Sequence, residues 1–219
     1  LIRYAVTAVL VLSCVFSPRV AQAQSYEPTA IEEIQVTATR RQTEVSSVSA
    51  ALTLIASDEI HSAKLTTDAL AAQIGVYLQQ TTPGQGAAII RGLKGSEILH
   101  IVDGMRLNNA IFRNAPTQYL ALVSPGTVDR IEVLRGAAAS LYGSDAVGGV
   151  VQVLSRVPKF DGSETEYRRS VYLSLDTAEI GRSMHATLDA GNRSLAGLIS
   201  IDYLETGNRR TGSGERIGP

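Results

Sequence analysis

The chain has 219 residues, a formal net charge of −1 and 44% hydrophobic residues. That charge balance excludes a nucleic-acid binder working through a broad basic surface. The single cysteine excludes an intrachain disulfide framework or a cysteine-rich zinc site. The three histidines, His61, His100 and His185, show no i,i+3 or i,i+4 spacing, so local sequence supports no histidine-based metal site. At the N-terminal end, Arg3 precedes an apolar run from Ala5 to Leu12 that continues through Cys14, Val15 and Phe16. Pro18 and Ala21-Gln22-Ala23 follow. A positive start, an apolar stretch and an A-x-A site predict a signal peptide over 1–23. The run is shorter than the roughly 20 residues that span a bilayer as a helix.

Residues 24–30 are polar and carry Pro28, and read as a flexible arm. Ile31 to Thr39 has β-branched Ile34, Val36 and Thr37 and reads as a short extended segment near a free end. Such a segment serves equally as a first strand or as a strand added to another protein's sheet. Val48 to Ile55 predicts a strand, with Ser57 capping a helix that carries Asp58 and Glu59 in its first turn. Thr67 or Asp68 is placed to cap a second helix, Ala69 to Ile74, stopped by Gly75. Thr81 to Gly86 reads as a loop, then Ala88 to Arg91 and Ile98 to Val102 as strands, the latter closed by an Asp103-Gly104 turn. Asn108 to Tyr119 is a polar loop. Val128 to Leu134 and Val150 to Leu154 are strands flanking the Gly- and Ala-rich stretch 136–149. The whole predicts a small α+β domain.

The pattern changes after Pro158. Val171, Leu173 and Leu175 alternate with polar residues, as do Met184, Ala186, Leu188 and Ala190, and then Ile199, Ile201 and Tyr203. Gly191 to Ser194 makes a tight turn between the second and third runs. Strands of about ten residues with one apolar and one polar face are the signature of a transmembrane β-barrel. A soluble amphipathic sheet alternates in the same way. The 59 residues from Asp161 onward hold three or four strands, too few for a closed barrel.

Three stretches carry a family resemblance. They are Ile31-Glu-Glu-Ile-Gln-Val-Thr-Ala-Thr39; Ile90-Arg-Gly92 followed by Ile101-Val-Asp-Gly-Met-Arg-Leu107; and Val128-Asp-Arg-Ile-Glu-Val-Leu-Arg-Gly136 continuing through Ser140-Leu-Tyr-Gly-Ser-Asp145 to Gly148-Gly-Val-Val151. Together they resemble the TonB-dependent outer-membrane receptors. The resemblance implies an α+β plug domain followed by the first strands of a transmembrane antiparallel β-barrel. That barrel is roughly 22-stranded in the family and incomplete here. It also implies a division into signal peptide (1–23), periplasmic arm with the TonB box (24–42), plug (43–158) and barrel start (159–219).

By that resemblance Glu33, Ile34, Gln35, Val36 and Thr37 would bind TonB, driven by ExbB–ExbD. Arg91, Gly92, Asp103, Gly104, Arg130, Glu132, Arg135, Gly136, Tyr142, Gly143, Gly148 and Gly149 form the plug's structural motifs. The arginines and Glu132 are expected in hydrogen-bonded ion pairs that lock the plug against wall and sheet. Candidate ligand contacts at the plug apices are Gln85, Phe112, Arg113, Asn114, Gln118 and Tyr119. The expected activity is active transport of a scarce small-molecule ligand, an iron–siderophore or haem complex, across the outer membrane of a Gram-negative cell. The chain would contact outer-membrane lipid, bind no nucleic acid, and need no cofactor or resident metal. The alternatives are an exported soluble periplasmic binding module and a partial gene product without transport activity. Catalysis lacks support: Gly181-Arg-Ser-Met-His185 has no second glycine for a G-x-S-x-G elbow, and no phosphate-binding G-x-x-x-x-G-K-[ST] occurs.

Overall fold

The computed structural model describes residues 35–36, 43–44, 51–82, 84–107, 120–136, 139–177, 180–208 and 211–215. The expected signal peptide at 1–23 and the expected loop at 108–119 lie outside them. The first described elements are two short strands, β1 (Gln35–Val36) and β2 (Thr43–Glu44), which pair antiparallel. Next come β3 (Ala51–Ala56), α1 (Ser57–Ser62), α2 (Asp68–Ala71), β4 (Val76–Thr82), β5 (Gln85–Ile90), β6 (Ile98–Val102) and β7 (Met105–Arg106). The α+β domain is completed by β8 (Val128–Arg135), α3 (Ala139–Tyr142) and β9 (Gly149–Ser155).

Five of these strands form one sheet in the order β3-β8-β9-β6-β7, in which only β6 and β9 run parallel. β9 lies at its centre and is apolar on both faces, which explains the unbroken Val150-Val151 and Val153-Leu154 runs. On one face Ile55, Ile60, Leu70, Ile90, Val128, Ile131, Val133, Val151 and Val153 pack into a core closed over by α1, α2 and the β4–β5 hairpin. On the other, Leu99, Ile101, Leu134, Val150, Tyr142 and Ala146 form a second, smaller core beneath α3. Alternation along each strand thus feeds two cores rather than a core and solvent.

Several local expectations are corrected. Thr81 to Gly86 is not an open loop: β4 runs through Thr82 and pairs with β5 down to Gln85. The amide-rich Gln79-Gln80-Thr81-Thr82 stretch hid a hairpin arm, because cross-strand pairing overrides weak apolar periodicity. Ser57 is the first helical residue, not the cap. Extended Ala56 occupies that position, and no side chain caps the helix. The second helix stops at Ala71, three residues before Ile74, and Gly75 turns the chain at φ 78° just ahead of β4.

The Asp103-Gly104 turn is a two-residue hairpin with positive φ at both positions, 47° and 84°. This twist suits the flanking strands and explains the Asp-Gly pair. The Asp103 carboxylate accepts hydrogen bonds from Ser155 N at 2.8 Å and Ser155 Oγ at 2.6 Å, tying the turn to the end of β9.

Three longer strands follow: β10 (Glu166–Asp176), β11 (Gly181–Gly191) and β12 (Ala196–Glu205). They form a separate antiparallel sheet in sequence order, with Val171, Ala186 and Ile201 in one cross-strand row and Leu173, Met184 and Tyr203 in the next. The β11–β12 turn is closed by the Asn192 side chain, which accepts from the backbone N–H groups of Ser194 and Leu195. Burial in this sheet is inverted. Ser183, His185, Thr187 and Asp189 of β11 are buried, while Val171, Leu173, Leu175, Leu188, Ile199 and Ile201 are exposed, Leu175 at 84%. A sheet of a soluble domain would do the reverse. Among the described residues no helix is long and apolar enough to cross a membrane, a fact that does not bear on strands.

Candidate functional site

The predicted partner-binding segment contributes Gln35 and Val36 to β1, opposite Glu44 and Thr43 of β2. Glu33, Ile34 and Thr37 lie outside the described residues. The pair confirms the extended backbone at 35–36 and gives it a short in-chain strand partner, as in the first-strand alternative.

The motif residues gather along β8, β9 and the turns beside them. Arg91 and Gly92 make the tight turn after β5, with φ of 53° and 81°, and Ile90 and Leu93 exchange backbone hydrogen bonds at 3.0 Å across it. The exposed Arg91 guanidinium lies over Gly136, where an added Cβ would stand 3.1 Å from its Nη1. Arg135, at the end of β8, donates to Thr53 Oγ1 at 2.6 Å and to the carbonyl of Ile74, tying β3 and the α2–β4 turn together. Arg130 donates to Glu132 at 3.0 Å and to Asp129 at 2.8 Å. Glu132 has no exposed surface and stands in register with Gln152, whose Oε1 accepts from Tyr142 at 3.3 Å. A polar row is thus embedded in the smaller core, where leaving any carboxylate unpaired would be costly.

Gly148 and Gly149 are required by space. A Cβ on Gly148 would stand 2.5 Å from Ile98 Cδ1, and one on Gly149 2.5 Å from the Leu134 carbonyl at φ 154°. Gly143 precedes a short turn in which Asp145 pairs with Arg106 at 2.7 Å. Of the candidate ligand contacts, Gln85 stands at the tip of the β4–β5 hairpin and is half-buried. Phe112, Arg113, Asn114, Gln118 and Tyr119 lie outside the described residues.

A second group of residues was missed. It forms the seam where the α+β domain meets the inward face of β10–β12. From the domain come His61 of α1, Lys64 just past it, the turn Ser124 to Thr127, and Arg156 just past β9. From the sheet come Tyr172, Asp176, His185, Asp189, Ser200 and Asp202. Lys64 pairs with Asp176, and Arg156 pairs with Asp189 at 2.9 Å. Ser124 donates to Asp202 Oδ2 at 2.5 Å, and His185 Nδ1 donates to Asp202 Oδ1 at 2.6 Å. The His61 ring tilts against Tyr172 at 5.3 Å while its Nε2 donates to the Val128 carbonyl at 3.1 Å. Burial depresses the His61 pKa below its ordinary 6.5, and nearby Arg156 pushes the same way; the Val128 hydrogen bond opposes without reversing the shift. The available signal was the polar half of each alternating strand, which reads as solvent-facing until the inverted burial is seen. Among the described residues no cluster of His, Cys, Asp or Glu could hold a metal ion.

Comparison with known proteins adds three findings. The family described as the TonB-dependent receptor plug domain matches residues 44–150. A curated vitamin B12 transporter, BtuB, of Vibrio vulnificus is 33% identical over 132 residues, covering 57% of this chain and 20% of its own length. Its counterpart from Vibrio cholerae is 36% identical over 134 residues, covering 57% and 21%. The chain thus spans about a fifth of the length of the curated relatives it matches. Among solved structures, the copper transporter OprC superposes with a TM-score of 0.62 at 21% identity, covering 76% of this chain and 25% of the other. A mutant of the ferric enterobactin receptor PfeA of Pseudomonas aeruginosa superposes at 0.56 with 24% identity, covering 74% and 25%. At that identity the structures support the fold alone.

Proposed function

Because this chain carries the plug domain of a TonB-dependent receptor at 44–150, with barrel strands after it, we propose that it belongs to an active transporter of the Gram-negative outer membrane. In this reading the plug fills and gates the lumen, the arm at 24–42 faces the periplasm, and TonB, driven by ExbB–ExbD, engages Glu33 to Thr37. The observation that carries the proposal is the inverted sheet: β10–β12 turn polar side chains toward the plug and leucine, isoleucine and valine outward, as a wall between a filled lumen and lipid requires. A soluble periplasmic binding module has no use for that outward face. No catalytic role is assigned.

The cargo we assign is a metal-bearing small molecule, an iron–siderophore or haem complex. A second reading, cobalamin, is favoured by the B12 transporters at 33–36% identity. Both readings share a chelated metal centre in a ligand too large and scarce for passive entry. Growth tests with ferric siderophores, haem and cyanocobalamin as sole sources separate them.

TonB engagement rests on strand addition. An extended, β-branched segment on a tether offers its main chain to a sheet edge, and several hydrogen bonds share the load. A peptide covering Gln24 to Gln42 is expected to bind the periplasmic domain of TonB saturably, and Ile34→Pro to abolish this by removing a donor and fixing φ. Equal binding by the proline peptide would refute the box assignment.

A further inference from the structure

The seam between plug and wall contains one point where the two surfaces are fitted atom to atom. The short turn Pro125–Thr127, introduced by Ser124, lies against both β11 and β12. Three donors converge on the Asp202 carboxylate: Ser124 Oγ at 2.5 Å and Ser200 Oγ at 2.9 Å on Oδ2, and His185 Nδ1 at 2.6 Å on Oδ1. One of these belongs to the plug and two to the wall, so the carboxylate joins them through charge-assisted bonds. Gly126 sits directly above. A Cβ there would stand 2.6 Å from Ser200 Oγ and 3.2 Å from Thr187 Cγ2, both wall atoms. Its backbone needs no glycine for conformational reasons, since its φ lies outside the left-handed region. What Gly126 supplies is close approach. Immediately beyond, Arg156 donates its backbone N–H to Thr127 O at 2.7 Å and its guanidinium to Asp189 at 2.9 Å, a second tie from the same turn to β11.

We infer that the Ser124–Thr127 turn is a seat that seals the plug against the wall of β10–β12, with Asp202 as its anchor and Gly126 as its close-fitting contact. This rests on the transporter reading above. The turn is an interaction surface whose partner is the receptor's own barrel, and Ser124, Gly126 and Asp202 are positioning residues. They hold the plug in place and need not touch the cargo. The chemistry fits a reversible seal. Hydroxyl-to-carboxylate bonds and a glycine contact give specificity and close packing without the large apolar burial that would fuse the two surfaces.

The test is the potassium chloride conductance of the full-length receptor in planar lipid bilayers. A seated plug gives a closed lumen. Gly126→Ala should raise the open probability at least tenfold, because its methyl group overlaps Ser200 Oγ. Ser200→Ala alone, which removes one donor from Asp202, sets the reference level for the rescue. The double variant Gly126→Ala/Ser200→Ala should fall from the Gly126→Ala leak toward that reference level, because the overlapping atom is gone. A methyl group that harmed only the plug's internal fold would not be rescued from the wall. Persistent leak in the double variant, or no leak in Gly126→Ala, overturns the seat. If Gly126→Ala does not insert, Ser124→Ala carries the same question: removal of one hydroxyl should produce the leak, and parent-level conductance overturns the inference. Uptake that proved independent of TonB would refute the transporter reading, and would leave the conductance result standing on its own.

Discussion

Single residues in this chain act through space and charge more than through chemistry. Gly149 combines a left-handed φ of 154° with a Leu134 carbonyl 2.5 Å from where a Cβ would lie, and that atom is backbone. Gly149→Ala should therefore cost roughly 1–3 kcal/mol, read as a lower urea midpoint with unchanged slope. His61 gives a pH dependence. Its folded pKa lies below the ordinary 6.5 because burial disfavours the cation. The unfolded chain takes up a proton first as pH falls, so the stability His61 contributes is present above about 6.5 and is lost as pH falls through the folded value. Thermal unfolding compared at pH 7.5 and 5.5 should show a smaller acid loss for His61→Gln, which keeps a donor for Val128 O. An equal loss in both proteins would place the pH dependence elsewhere.

Elements in the two parts obey different rules because their surroundings differ. In the plug, β8 and β9 bury both faces, and Glu132 and Gln152 are tolerated there because Arg130 and Tyr142 satisfy them. In β10–β12 alternation has the opposite sense. Val171, in one register row with Ala186 and Ile201, lies mid-strand, whereas Leu175 lies beside Arg182 near the strand ends. A charged side chain on a lipid face costs about 2–4 kcal/mol at the midplane and about 0–1 near the interface. Val171→Arg should thus markedly lower the stability of the receptor folded in vesicles, while Leu175→Arg should barely change it. Equal effects would deny the lipid-facing assignment. The strand positions were legible in sequence, since period-two alternation over 171–175, 183–190 and 195–203 marks all three. Alternation by itself has no sign; the inward polar face followed from the resemblance to a barrel and is what the burial of His185 shows.

At the scale of the molecule, the two-core domain and the inverted sheet fit the proposed energy-coupled gate. In the proposed coupling, traction at Ile34 would reach the plug at β3, an edge strand whose one sheet partner is β8. In cells, Ile34→Pro should abolish uptake while surface binding of cargo survives. Loss of both would mean that the segment shapes the plug rather than couples it to TonB.

Contiguous chemistry was readable before any fold was known. The Asp-Gly turn, the β8 and β9 strands and the three alternating runs each depend on neighbours a few residues apart. The Arg135 ties to Thr53 and Ile74 and the Ser124–Asp202–His185 seam depend on partners between 17 and 82 positions away in sequence. Polar residues such as His185 and Asp189 have the same local pattern whether they face water or a docked domain. Only the packing of plug on wall decided between the two, because burial belongs to surfaces brought together and not to the residues that form them.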